Sequence, residues 1–117
     1  MNKLLWLDDL RNPFEGNWIE DYSPIKSTCE IIWVKDYQEF VDWISLNGLP
    51  TAICFDNDLA QDKEGYDADK WLVDYCIDNQ KKLPLFNIQS ANPAGKENIQ
   101  RLLDNFKKYQ EDEPRKI

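Results

Sequence analysis

Four short apolar runs are spaced along the chain, and three of them run directly into polar clusters. Lys3 to Leu7, carrying Leu4-Leu5-Trp6-Leu7, meets Asp8-Asp9. Thr51 to Phe55 meets Asp56-Asn57-Asp58, and Leu85 to Ile88, introduced by Pro84, leads into Ser90-Ala91-Asn92-Pro93. The fourth run, Glu30 to Val34, is rich in Ile and Val. Short apolar runs of this kind predict buried strands. Between them the period changes to that of helices. Asp36 is placed as an N-cap with Glu39 completing a capping box, Phe40, Val41 and Ile44 form one apolar face, and Gly48 stops the helix. Ala68, Trp71, Leu72 and Tyr75 predict a helix over Asp67 to Asp78, with these residues as core. Pro93 suits the first position of a last helix capped by Asn92, with Ile99, Leu102, Leu103 and Phe106 as its stripe. Two stretches read as irregular: Leu10 to Ser27, with Pro13, Gly16 and Pro24, and the loop Asp58 to Gly65.

The order β-β-α-β-α-β-α, with strands apolar on both faces, predicts an α/β fold: a four-stranded parallel sheet in three layers. Right-handed crossovers give the strand order 2-1-3-4. Strands one and three are then neighbours, and Asp8, Asp9, Asp56 and Asp58 emerge at the carboxyl edge, where open α/β sheets place their sites. Two unit charges about 5 Å apart repel by roughly 3 kcal/mol at an effective dielectric of about 20. A divalent cation with hard oxygen ligands relieves this most simply; Mg2+ suits best, with Mn2+ the alternative. The expected organisation is one domain over 1–110 and a polar tail over 111–117.

Composition narrows the chemistry. The 117 residues fit a single domain, and five Trp, five Tyr and five Phe argue for a folded chain despite the acidity. A net charge of −8 disfavours bulk attraction to nucleic acid or anionic membrane, while leaving room for a local basic site around a phosphate. There is no histidine. That excludes Ser-His-Asp and Cys-His nucleophilic sites and histidine zinc sites, and leaves acid/base work to carboxylates, Lys, Tyr or water on a metal. Cys29, Cys54 and Cys76 are widely spaced in apolar surroundings and read as buried reduced thiols, which suits a cytoplasmic location. The first apolar run meets acid too soon for a signal peptide, and no segment approaches transmembrane length.

Each candidate residue has a plainer alternative. Asp8 and Asp9 are metal ligands or a solvated turn; Asp56 points into the cleft and joins them; Asp58 faces the cleft or caps the next turn. Ser90 donates to a phosphoryl oxygen or makes a routine strand-end hydrogen bond. The helix start at Asn92 offers backbone N–H groups to an anion, with Gly95 permitting close approach. Lys96 and Arg11 supply positive charge or lie on the surface; Asp67 after Gly65-Tyr66 is a cap before a catalyst. Trp18 and Trp33 mark an interface or belong to the core.

Asp8-Asp9, Asp56 and Ser90-Ala91 resemble the receiver domains of two-component signalling, with a receiver or flavodoxin-like fold. The helix after the fourth strand is the last element, so the receiver's fifth strand and its lysine lack counterparts. A closer resemblance is to the cyclic-phosphate processing receiver domain. It is carried by Leu7-Asp8-Asp9-Leu10-Arg11-Asn12-Pro13, Phe55-Asp56-Asn57-Asp58-Leu59, Gly65-Tyr66-Asp67 and Ser90-Ala91-Asn92-Pro93-Ala94-Gly95. It implies binding or processing of a cyclic phosphate, on a small ligand or an RNA end, in an RNA-repair or conflict setting. Asp8, Asp9 and Asp56 would hold the metal, Asp56, Asp58 and Arg11 would act on the ester, and Ser90, Asn92, Gly95, Lys96 and Asn57 would hold the phosphate. Members of that family usually carry a histidine where this chain has Asn57, whose amide hydrogen-bonds but does not act as an acid near neutral pH. A non-catalytic phosphate-binding module, a phosphoacceptor switch and a scaffold with a vestigial cleft are the competing readings.

Overall fold

The computed structural model describes residues 2–59 and 62–112, the side chain of Asp112 excepted. β1 (Asn2–Leu7), α1 (Trp18–Tyr22), β2 (Cys29–Val34), α2 (Tyr37–Asn47), β3 (Ala52–Phe55), α3 (Gly65–Asn79), β4 (Leu85–Ile88) and α4 (Pro93–Asp112) follow in that order. All pairings are parallel and the strand order is β2-β1-β3-β4, as expected from the crossover rule.

The two faces of the sheet are covered unequally. Leu5, Leu7, Ile53, Phe55 and Ile88 pack with Phe40 and Ile44 of α2, Ala68, Leu72 and Cys76 of α3, and Ile99, Leu103 and Phe106 of α4. On the opposite face Leu4, Trp6, Ala52 and Cys54 lie beside Cys29, Ile31 and Trp33 of β2 and are covered, among the described residues, by Trp18, Ile19 and Tyr22 of α1 and by Ile25. Trp18 and Trp33 therefore belong to this second core. The third layer is thin: one short helix and an irregular loop.

α1 corrects the expectation that Leu10 to Ser27 is irregular throughout. Its five residues are too few to show helical periodicity. Trp18 and Tyr22 stack at 6.1 Å between centroids across one turn, and Ile19 reaches the second core. α2 starts as expected, with Asp36 accepting from the Glu39 N–H at 2.8 Å. The return bond is displaced by one residue: Glu39 accepts from the Lys35 N–H at 2.9 Å, not from Asp36. α3 begins at Gly65, before the expected Asp67, whose side chain reaches back to the Glu64 N–H at 2.8 Å. In α4, Asn92 caps the Gly95 N–H at 3.1 Å. That helix runs through Glu111 to Asp112, into the expected polar tail; the rest of that tail, 113–117, lies outside the described residues. Cys54 and Cys76 are buried, Cys29 is half-buried and all three thiols are free. No helix among the described residues is long and apolar enough to cross a membrane.

Asp69 breaks the pattern. It lies one turn beyond Gly65, on the α3 face shared with Leu72 and Cys76, and is fully buried. Neither carboxylate oxygen has a hydrogen-bond partner among the described residues. Burial pushes its pKa up from 3.8 to about 8. Between those values the folded chain keeps a proton that the unfolded chain releases, so stability falls as pH rises through this window. Urea denaturation is expected to show that loss between pH 5 and pH 8. Asp69→Asn should flatten the greater part of it; an unchanged pH slope in the variant would contradict a neutral buried acid.

Candidate functional site at the carboxyl edge

The register of the sheet sets the site. Leu7 pairs with Val34 and with Phe55, and Phe55 pairs with Ile88, so the four strands end level. The ladder continues one step beyond them. Asp8 N–H donates to Val34 O at 3.1 Å, Asp56 N–H to Leu7 O at 2.9 Å and Gln89 N–H to Phe55 O at 2.9 Å. Asp8, Asp56 and Gln89 thus stand side by side. By strand alternation they extend the rows of Trp6, Cys54 and Asn87, on the thinly covered face.

Asp8, Asp9 and Asp56 each offer a carboxylate oxygen, and the three oxygens lie within 4.8 Å of one another. Asp8 is fully buried, Asp56 is 5% exposed and Asp9 is half-buried. Burial and then the charge of Asp8 push the Asp56 pKa up from 3.8 to about 7, against the lowering effects of the Asp58 N–H and Arg11. The compensating charge is Arg11. Its Nη1 lies 3.3 Å from Asp8 Oδ2 and 3.8 Å from Asp56 Oδ1, and its guanidinium sits over the Trp18 ring at 5.1 Å from the centroid. The donor set suits Mg2+ or Mn2+: hard oxygens, close together and partly dehydrated. Gln89 adds to the fit. It is 2% exposed, donates to Leu7 O at 3.0 Å and lies 3.5 Å from Asp8 Oδ2, and its Oε1 has no partner among the described residues.

The loop that carries Arg11 is built on Asp8. Asp8 Oδ1 accepts from the Leu10 N–H at 3.0 Å and the Arg11 N–H at 2.9 Å. Two indoles pin the backbone: Trp33 Nε1 donates to Asp8 O at 2.7 Å and Trp6 Nε1 to Arg11 O at 2.9 Å.

Across the cleft the expected phosphate ligands form their own network. Asp58 Oδ1 accepts from Asn57 Nδ2 at 3.1 Å and from Asn92 Nδ2 at 3.3 Å, tying β3 to the start of α4. Ser90 Oγ accepts from the Asn92 N–H at 3.1 Å, which leaves its own proton available. Pro93 has no N–H, and the Gly95 and Lys96 N–H groups bond to Asn92. Among the described residues Ala94 N–H is then the first-turn donor of α4 without an acceptor. Lys96 is exposed and lines a shallow groove on the outer side of α4 with Glu97, Gln100 and Arg101.

Two glycines hold this end together by close packing. A Cβ on Gly65 would lie 2.0 Å from Asp56 O, and Gly65 N–H donates to Asn57 O at 2.9 Å. A Cβ on Gly95 would meet the Asn57 side chain at 2.3 Å. The glycine expected to admit a phosphate is filled by Asn57 instead.

A family model for the cyclic-phosphate processing receiver domain matches residues 3–105. The chain belongs to this family. No curated protein matches it. It is similar in structure to a solved chain described as a fusion with the yeast Spc42 trimeric coiled-coil, at 17% identity and a TM-score of 0.55, covering 94% of this chain and 81% of that one; at this identity the likeness shows the fold alone.

Within the cyclic-phosphate processing receiver family frame, the first two blocks of the sequence deliver Asp8, Asp9, Arg11 and Asp56 to one place. Trp6, Trp33 and Gln89 were missed as parts of the site. A strand-buried tryptophan needs an acceptor for its N–H, and that requirement points to the loop carbonyls. Gln89 follows an apolar strand at the same step as Asp8 and Asp56, a register signal that the Ser90 motif obscured. Gly65→Ala is expected to lower stability by about 2 kcal/mol or more, because its clash is with backbone. Urea denaturation of Gly65→Ala beside wild type checks this, since Gly65 has no left-handed backbone to add strain of its own and the loss reports the contact with Asp56 O. Wild-type stability in Gly65→Ala would contradict the packing role.

Proposed function

We propose that this domain binds a cyclic-phosphate ligand, on a nucleotide or an RNA end, around a Mg2+ or Mn2+ ion held by Asp8, Asp9 and Asp56, and that it opens the cyclic ester with water. Membership of a cyclic-phosphate processing family supports the ligand class. The observation that carries the reading is the convergence of three carboxylate oxygens within 4.8 Å beside a single guanidinium. A divalent ion, when bound, supplies Lewis-acid polarisation of a phosphoryl oxygen and activation of water.

The remaining work falls to this chain's own side chains. Arg11 offsets negative charge developing on the phosphoryl oxygens. Ser90 Oγ–H and Ala94 N–H orient the phosphate from the opposite side, and Lys96, which lines the groove on the outer side of α4, is left out of these contacts. Asp58 Oδ2, which has no partner among the described residues, accepts the proton of the attacking water as its oxygen bonds to phosphorus; the ring P–O bond breaks and the departing oxygen takes a proton from solvent, while Oδ1 is fixed by the two amides.

The second reading is a module that binds the same ligand without turnover. Asn57 favours it: an amide does not protonate a leaving group near neutral pH, and this one is packed on Gly95.

The test is product formation from a panel of 2′,3′- and 3′,5′-cyclic nucleotides with and without Mg2+. Product is expected only with the ion, and Asp56→Asn should reduce it by about 100-fold or more. No product, with Mg2+ still raising the Tm, would establish the binding module for that panel. Absence of any Mg2+ or Mn2+ effect on Tm would sink the metal reading. A phosphoryl mass increment on Asp56 after exposure to a small phosphodonor would support the phosphoacceptor alternative.

A further inference from the structure

We propose that Arg11 is a displaceable counter-ion: its guanidinium neutralises Asp8 and Asp56 in the metal-free protein and leaves them to face the ligand's phosphoryl group when a divalent cation binds. This rests on the reading of Asp8, Asp9 and Asp56 as a metal site. That reading has a second support besides the acidic cluster, the 2%-exposed Gln89 whose amide lies against Asp8 and whose Oε1 has no partner among the described residues.

The ion pair is built loosely. Arg11 reaches Asp8 Oδ2 and Asp56 Oδ1 through the same nitrogen, Nη1, at 3.3 Å and 3.8 Å. Neither contact has the two-pronged geometry in which arginine grips a carboxylate most strongly. A divalent ion would draw on the same carboxylates and repel the guanidinium at close range.

What moves is also set by the structure. The Arg11 N–H bonds to Asp8 Oδ1 at 2.9 Å and its carbonyl accepts from Trp6 Nε1 at 2.9 Å, so the backbone is tied on both sides. The side chain is 24% exposed, and its guanidinium rests on the face of Trp18, an aromatic witness to its position. Displacement therefore swings the side chain alone. The positive charge is held at the carboxylates first and released toward an anion only after the cation has arrived, which orders binding as cation, then phosphate.

Calorimetric titration of Mg2+ alone into metal-free protein tests this, with intrinsic tryptophan fluorescence recorded in parallel. Arg11→Ala is expected to bind Mg2+ about tenfold more tightly than wild type, because the competing cation is gone. Its metal-free Tm should be lower and its rise on adding Mg2+ larger. Arg11→Lys, which keeps a positive charge, should bind Mg2+ less tightly than Arg11→Ala, and covers the case in which Arg11→Ala does not fold. In wild type Mg2+ should change the fluorescence, and the change should be smaller in Trp18→Phe, where Trp6 and Trp33 still report on the Asp8–Arg11 backbone. Equal or weaker Mg2+ affinity in Arg11→Ala, or a fluorescence change of the same size in wild type and Trp18→Phe, would overturn the displacement while leaving the metal site intact. Failure of wild type to bind either Mg2+ or Mn2+ would instead remove the metal reading, and the displacement with it.

Discussion

Two buried carboxylates, Asp8 and Asp56, sit beside each other because β1 and β3 are hydrogen-bonded neighbours that end at the same level. Their repulsion cannot relax by sliding. A one-residue slip of β3 would turn Ile53 and Phe55 away from the three-helix core and bring Ala52 and Cys54 into it. The packing of the sheet thus fixes an electrostatic conflict at its edge, and the surrounding parts can be understood as responses to it. Asp8 satisfies one oxygen with two backbone N–H groups; Arg11 supplies a positive charge; Asp56, less well provided, is pushed to a pKa of about 7.

The unequal layering explains how that response is delivered. Three helices on one face give a thick core that holds the strands, while among the described residues the other face carries only α1 and its loop. The irregular loop after β1 folds back on Asp8, whose Oδ1 accepts the Leu10 and Arg11 N–H groups, and the indoles of Trp6 and Trp33 fasten the Arg11 and Asp8 carbonyls. Two of the five tryptophans therefore join core to site, burying apolar rings while directing one polar atom each at the Asp8–Arg11 backbone. Cooperative loss of the second core and loss of the site are expected to go together, since the same rings serve both.

Strand order, the helical faces and the meeting of Asp8, Asp9 and Asp56 were legible because each follows from a strong local signal: apolar runs, turn residues and crossover handedness. What escaped was the chemistry of contact. α1 is too short to leave a periodic trace. Gly65 reads in one dimension as a turn residue, yet its role is to let α3 touch the Asp56 carbonyl. Gly95 reads as an opening for an anion, yet Asn57 fills it. Asp69 drew no expectation from the helical pattern, and only the docking of α3 reveals a buried acid with no partner among the described residues. For the two glycines the sequence signal was present but ambiguous, and tertiary packing chose between its meanings.

Asn57 shows how closely this chain's site is adapted to its own residues. Its side chain lies against the Gly95 Cα, its amide is shared with Asp58, and its carbonyl receives the Gly65 N–H. It is the point where β3, α3 and α4 meet. A bulkier side chain at this position, such as histidine, would have to find room beside Gly95 and would release one of the two amides that orient Asp58. The Asn57 amide thereby sets the distance between the carboxylate edge on β1 and β3 and the start of α4, the interval that a phosphate would span under the binding reading proposed above. In that reading an amide in place of an acid gives up proton donation and leaves the fold, the strand order and the acidic cluster unchanged.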